Sequence, residues 1–219
     1  MLIDCLSERS IFSAYGLTLS VIAYAVAALV ALLLRRGGQA RGAKKSGTEY
    51  PKLPLLLVQD LSSGLWSIFF FVMTGCLKGP LREENRTKTP EGNRKIFWGG
   101  ICNTAIGAIV AVLLYNVLWI FAENAFVSVL MLFARALVSA HVSLLIFSLL
   151  PLPCSDAETF LRKKPFGKKG LALRRQGTFP FLIYTTLSLL LACITLPVWG
   201  TSVSVSGLLT LFPLLLIGG

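Results

Sequence analysis

The side chains able to do chemistry are few: one histidine, ten carboxylates and five cysteines in 219 residues. Three ionisable groups, Asp60, Arg135 and His141, fall inside apolar runs, where an unpaired charge is costly and marks a site or an internal pair. Asn103 opens another such run, and Asp156 stands just beyond Pro153 at the end of one. Arg135 lies about ten residues into its run, too deep for easy snorkelling. The sequence predicts an internal partner for it, with Asp60 the best acid and Glu123 the next. A contact with substrate or lipid is the other reading. His141 with Asp156 could supply two ligands of an unorthodox metal site, but they are fifteen residues apart. At helical rise that is about 22 Å, so a shared ion needs a chain break between them. The cysteines (Cys5, Cys76, Cys102, Cys154, Cys193) have no CxxC spacing and read as small hydrophobes. No Ser/His/Asp set and no phosphate-binding glycine loop is present.

The elements that hold these groups are set by hydropathy. The chain is 55% hydrophobic and 14% charged, where a soluble domain carries roughly a quarter charged residues. Apolar segments run over about 13–34, 53–77, 97–121, 125–152, 178–199 and 203–217. A spanning helix needs about 20 apolar residues. The second segment is interrupted by Gln59-Asp60-Leu61-Ser62-Ser63-Gly64, a poor lipid-facing centre. Small residues of the third (Gly99, Gly100, Ala105, Gly107, Ala108) suit close helix packing. Asp4, Glu8 and Arg9 replace the positive start of a signal peptide, and the first run ends in Arg35-Arg36, so a retained helix is predicted.

The net charge of +11 does not imply nucleic acid, because 19 of the 21 Lys and Arg flank apolar segments at 35–52, 78–95 and 162–175. Such charge stays cytoplasmic and favours anionic lipid headgroups. If every segment crosses, six basic residues oppose thirteen. If the second segment enters and leaves on one face, loops 35–52, 78–95 and 153–177 are all cytoplasmic and the N-terminus lies outside. The expected fold is therefore an all-α polytopic protein of the inner or plasma membrane. It has one domain over 1–219, with about five transmembrane helices plus a re-entrant segment 53–77.

At the end of the fourth segment, Phe147-Ser148-Leu149-Leu150-Pro151-Leu152-Pro153-Cys154-Ser155-Asp156-Ala157 resembles the FNLLPxPPLDG signature of the site-2 protease family, zinc-dependent intramembrane metalloproteases. Trp98-Gly99-Gly100-Ile101-Cys102-Asn103 is similar to that family's AGPxxN, and Leu173-Arg174-Arg175-Gln176-Gly177 to the approach of its last helices. The resemblance puts Asp156 at the third zinc-ligand position. It also puts Ala23-Tyr24-Ala25-Val26-Ala27 where HExxH belongs, so that Ala23 and Ala27 replace both histidines and Tyr24 the glutamate base.

The resemblance implies the family's fold without its hydrolysis, hence a protein that binds membrane-spanning partners, with no cofactor expected. Two alternatives have different chemistry. One is an active metalloprotease with a non-standard zinc set such as Asp156, His141 and a cysteine. The other is a small transporter or channel subunit with Asp60, Arg135 and His141 along a polar path.

Overall fold

In lipid a backbone must close its own hydrogen bonds, and a long apolar run does so as a helix. The computed structural model describes residues 14–47, 61–78, 90–121, 125–150, 157, 160, 178–198 and 201–204. The described elements are α1 (Ala14–Lys45), α2 (Leu61–Thr74), α3 (Pro90–Trp119), α4 (Ala125–Leu149), α5 (Thr178–Cys193), β1 (Thr195–Val198) and β2 (Thr201–Ser204). Three of them, α1, α3 and α4, are long and apolar enough to cross a membrane. They pack on one another, α2 leans on α1, and α5 lies beside α2.

Two of the expected loops are partly helix. The stretch after Leu34 does not leave the helix: α1 continues through the basic residues to Lys45. Arg, Gln, Ala and Lys are good helix formers, and Lys44 and Lys45 in the last turn complement the helix dipole. It stops at Ser46-Gly47, where Gly47 takes φ 69° and its N–H returns to the Lys44 carbonyl at 3.2 Å. Likewise α3 begins at Pro90, seven residues before the expected start. Proline suits the first helical position, and Glu91 in the first turn pairs with Lys95 at 2.9 Å.

α1 and α3 run antiparallel in very close contact. The Asn103 side chain meets the Leu34 carbonyl, Gly38 meets Gly99, and Gly42 meets Lys95, so α3 retreats as α1 advances. A Cβ on Gly38 would sit 2.1 Å from the Gly99 oxygen, and one on Gly42 2.2 Å from that of Lys95. Backbones approach this closely only across glycine. The basic end of α1 and the start of α3 therefore share one end of the bundle.

α4 is buried on nearly every side from Ala136 to Leu144. By contrast, α3 turns Ile106, Ile109, Val110, Leu113 and Val117 outward. An outward apolar stripe of this length suits lipid rather than water. α5 ends at Cys193, and the β-branched stretch after it forms a two-stranded antiparallel hairpin with Thr195 opposite Ser204. That hairpin occupies the expected end of the fifth segment and start of the sixth. Residues 205–217 lie outside the described part.

Candidate functional site

The chemistry-bearing residues are positioned by the inner faces of α1 and α4 and by the end of α2. Ala23 is buried; Tyr24 is buried and Ala27 fully so, within a core shared with Ala28, Ala31, Phe71, Ala111, Ala136, Val138, Ala140 and Leu144. The Tyr24 ring lies 5.2 Å from that of Phe71. The face of α1 that would present a zinc motif is thus filled by methyl groups and a tilted pair of aromatic rings. Neither alanine has a donor atom, so these residues do not fit a metal.

α2 ends against the middle of α4. Gly75 takes φ 76°, which stops the helix, and its N–H bonds the Phe71 carbonyl at 2.7 Å. The non-helical stretch after it is held by hydroxyls. Ser139 donates to the Gly75 carbonyl at 3.1 Å, and the Leu77 N–H donates to Ser143 Oγ at 2.9 Å. Ser143 in turn donates to the Ser139 carbonyl at 2.7 Å, and Thr74 Oγ1 accepts from the Cys76 N–H at 3.2 Å. Irregular backbone at this depth is stable only when protein covers it and satisfies its polar groups. Both conditions are met here, and Gly75 to Leu77 runs along α4 in the same direction.

His141 is buried on another side of α4. Its Nδ1 lies 2.8 Å from the Leu137 carbonyl, so Nδ1 carries the proton and Nε2 is a bare lone pair. Nε2 has no hydrogen-bond partner and abuts Gly107, where an added Cβ would sit 2.3 Å from it. Leaving a lone pair against a Cα–H costs less than stranding a donor. The ring packs into the space left by Gly107.

Asn103 stands at the α1–α3 crossing. Its Nδ2 donates to the Leu34 carbonyl and its Oδ1 accepts from Arg41 Nη2, both at 2.8 Å. Arg135 is exposed on α4, and Glu123, one of the two acids expected to pair with it, lies outside the described residues. Asp60 and Asp156 lie outside the described residues. Asn103 and His141 bond to different partners, although Gly107, which His141 abuts, is one turn along α3 from Asn103. Among the described residues no group of three or more His, Cys, Asp and Glu could hold a metal.

Two features escaped the sequence reading. Ser139 and Ser143 are four apart on one helix face, a spacing that was visible, but the backbone they hold was not. Gly38 and Gly42 form the small-xxx-small spacing of a close crossing. It was hidden by reading 35–52 as a loop. No protein family, curated protein or solved structure matches the chain.

Proposed function

We propose that this protein is a polytopic membrane protein with a site-2-protease-like layout that does not hydrolyse peptides and acts by holding membrane-spanning partners. The observation that carries the reading is the filled core at Ala23, Tyr24 and Ala27. Removing two imidazoles and a carboxylate leaves no water-activating centre, and the Tyr24–Phe71 contact occupies the position of the base. What remains is a bundle that turns apolar side chains outward and whose interior hydroxyls bond to its own backbone. Such faces bind other helices by packing and by isolated polar contacts.

The shared end of α1 and α3 supports a cytoplasmic position for the basic stretches, with the N-terminus outside and segment 53–77 re-entrant. Arg41, Lys44, Lys45, Arg94 and Lys95 belong to that end, and Glu91 is the only acid described there. A surface of this charge attracts anionic headgroups.

Bound zinc per chain in detergent-purified protein tests the reading. Wild type and Asp156→Ala are both expected at background. Near-stoichiometric zinc that disappears in the variant would return the protein to the metalloprotease class.

A further inference from the structure

The apolar run of α1 ends at Leu34, and the helix carries on through its basic turns. Arg41, further along those turns, is held back toward that boundary. Its Nη2 donates to Asn103 Oδ1 at 2.8 Å and its Nε to the Gly37 carbonyl at 3.4 Å, while Asn103 Nδ2 donates to the Leu34 carbonyl. A side chain whose Cα lies about 10 Å beyond Leu34 thus brings its guanidinium to the level where hydrocarbon gives way to headgroups. Trp98, exposed on α3 just over one turn past Asn103 toward the same end, marks that level, since an indole prefers the headgroup boundary. The Arg41 side chain stays exposed. Its two bonds use two of the five N–H groups of the guanidinium, and Asn103 Nδ2 has a second N–H beside them. Gly37 leaves the space next to these donors unfilled. Beyond its chain neighbours and the backbone of α1, a Cβ there would meet only Asn103 Nδ2 among the described residues, at 3.9 Å. Lys44 and Lys45, exposed one turn on, and Arg94 and Lys95 on α3 add positive charge around it.

We infer that Gly37, Arg41 and Asn103 form a seat at the α1–α3 crossing for the phosphate of a single anionic phospholipid. A guanidinium fork matches two non-bridging phosphate oxygens through charge-assisted hydrogen bonds. Asn103 fixes the fork before any lipid arrives, so little side-chain freedom is lost on binding. Gly37, without a side chain, lets the headgroup approach the backbone of α1 closely. The exposed Leu34 lies on the hydrocarbon side of these donors and offers a surface to acyl chains. A free phosphate has no use for that surface. Diffuse attraction by the other cations draws anionic lipid to this end. The seat selects one molecule and fixes its depth. The inference rests on the placement of this end at a membrane surface, proposed above, and gives it one defined ligand site.

The test uses the full chain in phosphatidylcholine vesicles that carry a small fraction of spin-labelled phosphatidylglycerol. Wild type is expected to immobilise a single phosphatidylglycerol per chain, with a preference of roughly tenfold over labelled phosphatidylcholine. Two variants keep the net charge, so the diffuse attraction is unchanged in them. Arg41→Lys keeps the cation and loses the fork, and Gly37→Leu keeps the fork and fills the space beside it. Each is expected to lower the preference about fivefold. Lys44→Gln combined with Lys45→Gln removes charge away from the seat and still leaves one tightly held lipid. Thermal unfolding shows which variants are folded, and Arg41→Lys carries the test alone if Gly37→Leu melts early. A preference unchanged in Arg41→Lys overturns the inference and assigns the lipid to charge alone. So does displacement of the labelled lipid by millimolar inorganic phosphate, which would assign the donors to a free anion. No preference in wild type ends both the seat and the attraction to headgroups. A preference that only the double lysine variant abolishes ends the seat and leaves the attraction standing. The zinc measurement is independent of all these results.

Discussion

Gly38→Leu is expected to destabilise the protein by about 3 kcal/mol, because the new side chain starts inside the backbone of α3. Its Cβ would lie 2.1 Å from the Gly99 oxygen and 2.8 Å from the Asn103 Cβ. Neither is the end of a flexible side chain that could swing away. The helices must separate, and the bonds from Asn103 to Leu34 and from Arg41 to Asn103 then lengthen with them. Gly42→Leu meets the Lys95 carbonyl in the same way. Gly37→Ala has the opposite sign. Its Cβ finds only the Asn103 Nδ2 at 3.9 Å, so the gain in helix propensity of up to about 1 kcal/mol is retained. Thermal unfolding in detergent micelles reads both. Gly38→Leu melting together with wild type would mean that α1 and α3 do not cross at these glycines.

The second large effect belongs to the broken end of α2. Ser143→Ala removes the acceptor of the Leu77 N–H, leaving a donor without a partner inside the bundle, at a cost of about 1–3 kcal/mol. Side-chain hydrogen bonds between membrane helices average only about 0.6 kcal/mol, because the separated helices find other partners. A fixed backbone N–H cannot do so, and the larger figure wins. Ser139→Ala is milder, since a carbonyl such as that of Gly75 tolerates a lost bond better than an amide does. Hydrogen exchange at the Leu77 amide should accelerate in Ser143→Ala and stay near wild type in Ser143→Thr, which keeps the hydroxyl. Unchanged exchange in Ser143→Ala would show that the hydroxyl does not hold this stretch.

What the sequence made legible, and what it did not, follows from the range of each interaction. Helix formation in the long apolar runs needs only local composition, and the starts of α4 at Ala125 and α5 at Thr178 agree with the reading from hydropathy. The small residues of α3 were read as packing residues, and Gly99 and Gly107 do face Gly38 and His141. The end of α1 was missed because Arg35-Arg36-Gly37-Gly38 reads as a stop and a turn when considered alone. The glycines are explained only by α3, which enters the sequence more than fifty residues later. Pro90-Glu91-Gly92 carries a turn signal and a helix-start signal together, and the structure uses the second. The pair expected between Arg135 and Asp60 or Glu123 involves acids outside the described residues; what the structure adds is that Arg135 is exposed while Ala134 and Ala136 are buried, a helix phase that charge alone does not reveal. A break is expected over Gln59 to Gly64; Leu61 to Gly64 are helical, Gln59 and Asp60 lie outside the described residues, and the described break is at Gly75, where hydroxyls from α4 meet the freed backbone.

The layout itself can be tested by returning the missing ligands. Ala23→His with Ala27→His places two imidazoles four residues apart on the inner face of α1. Zinc per chain in that double variant is the measurement that bears most directly on the proposed relationship. A site-2-protease-like arrangement predicts a near-stoichiometric gain over wild type that is lost again when Asp156→Ala is added. A folded double variant that binds no zinc, or whose zinc is indifferent to Asp156, would contradict it.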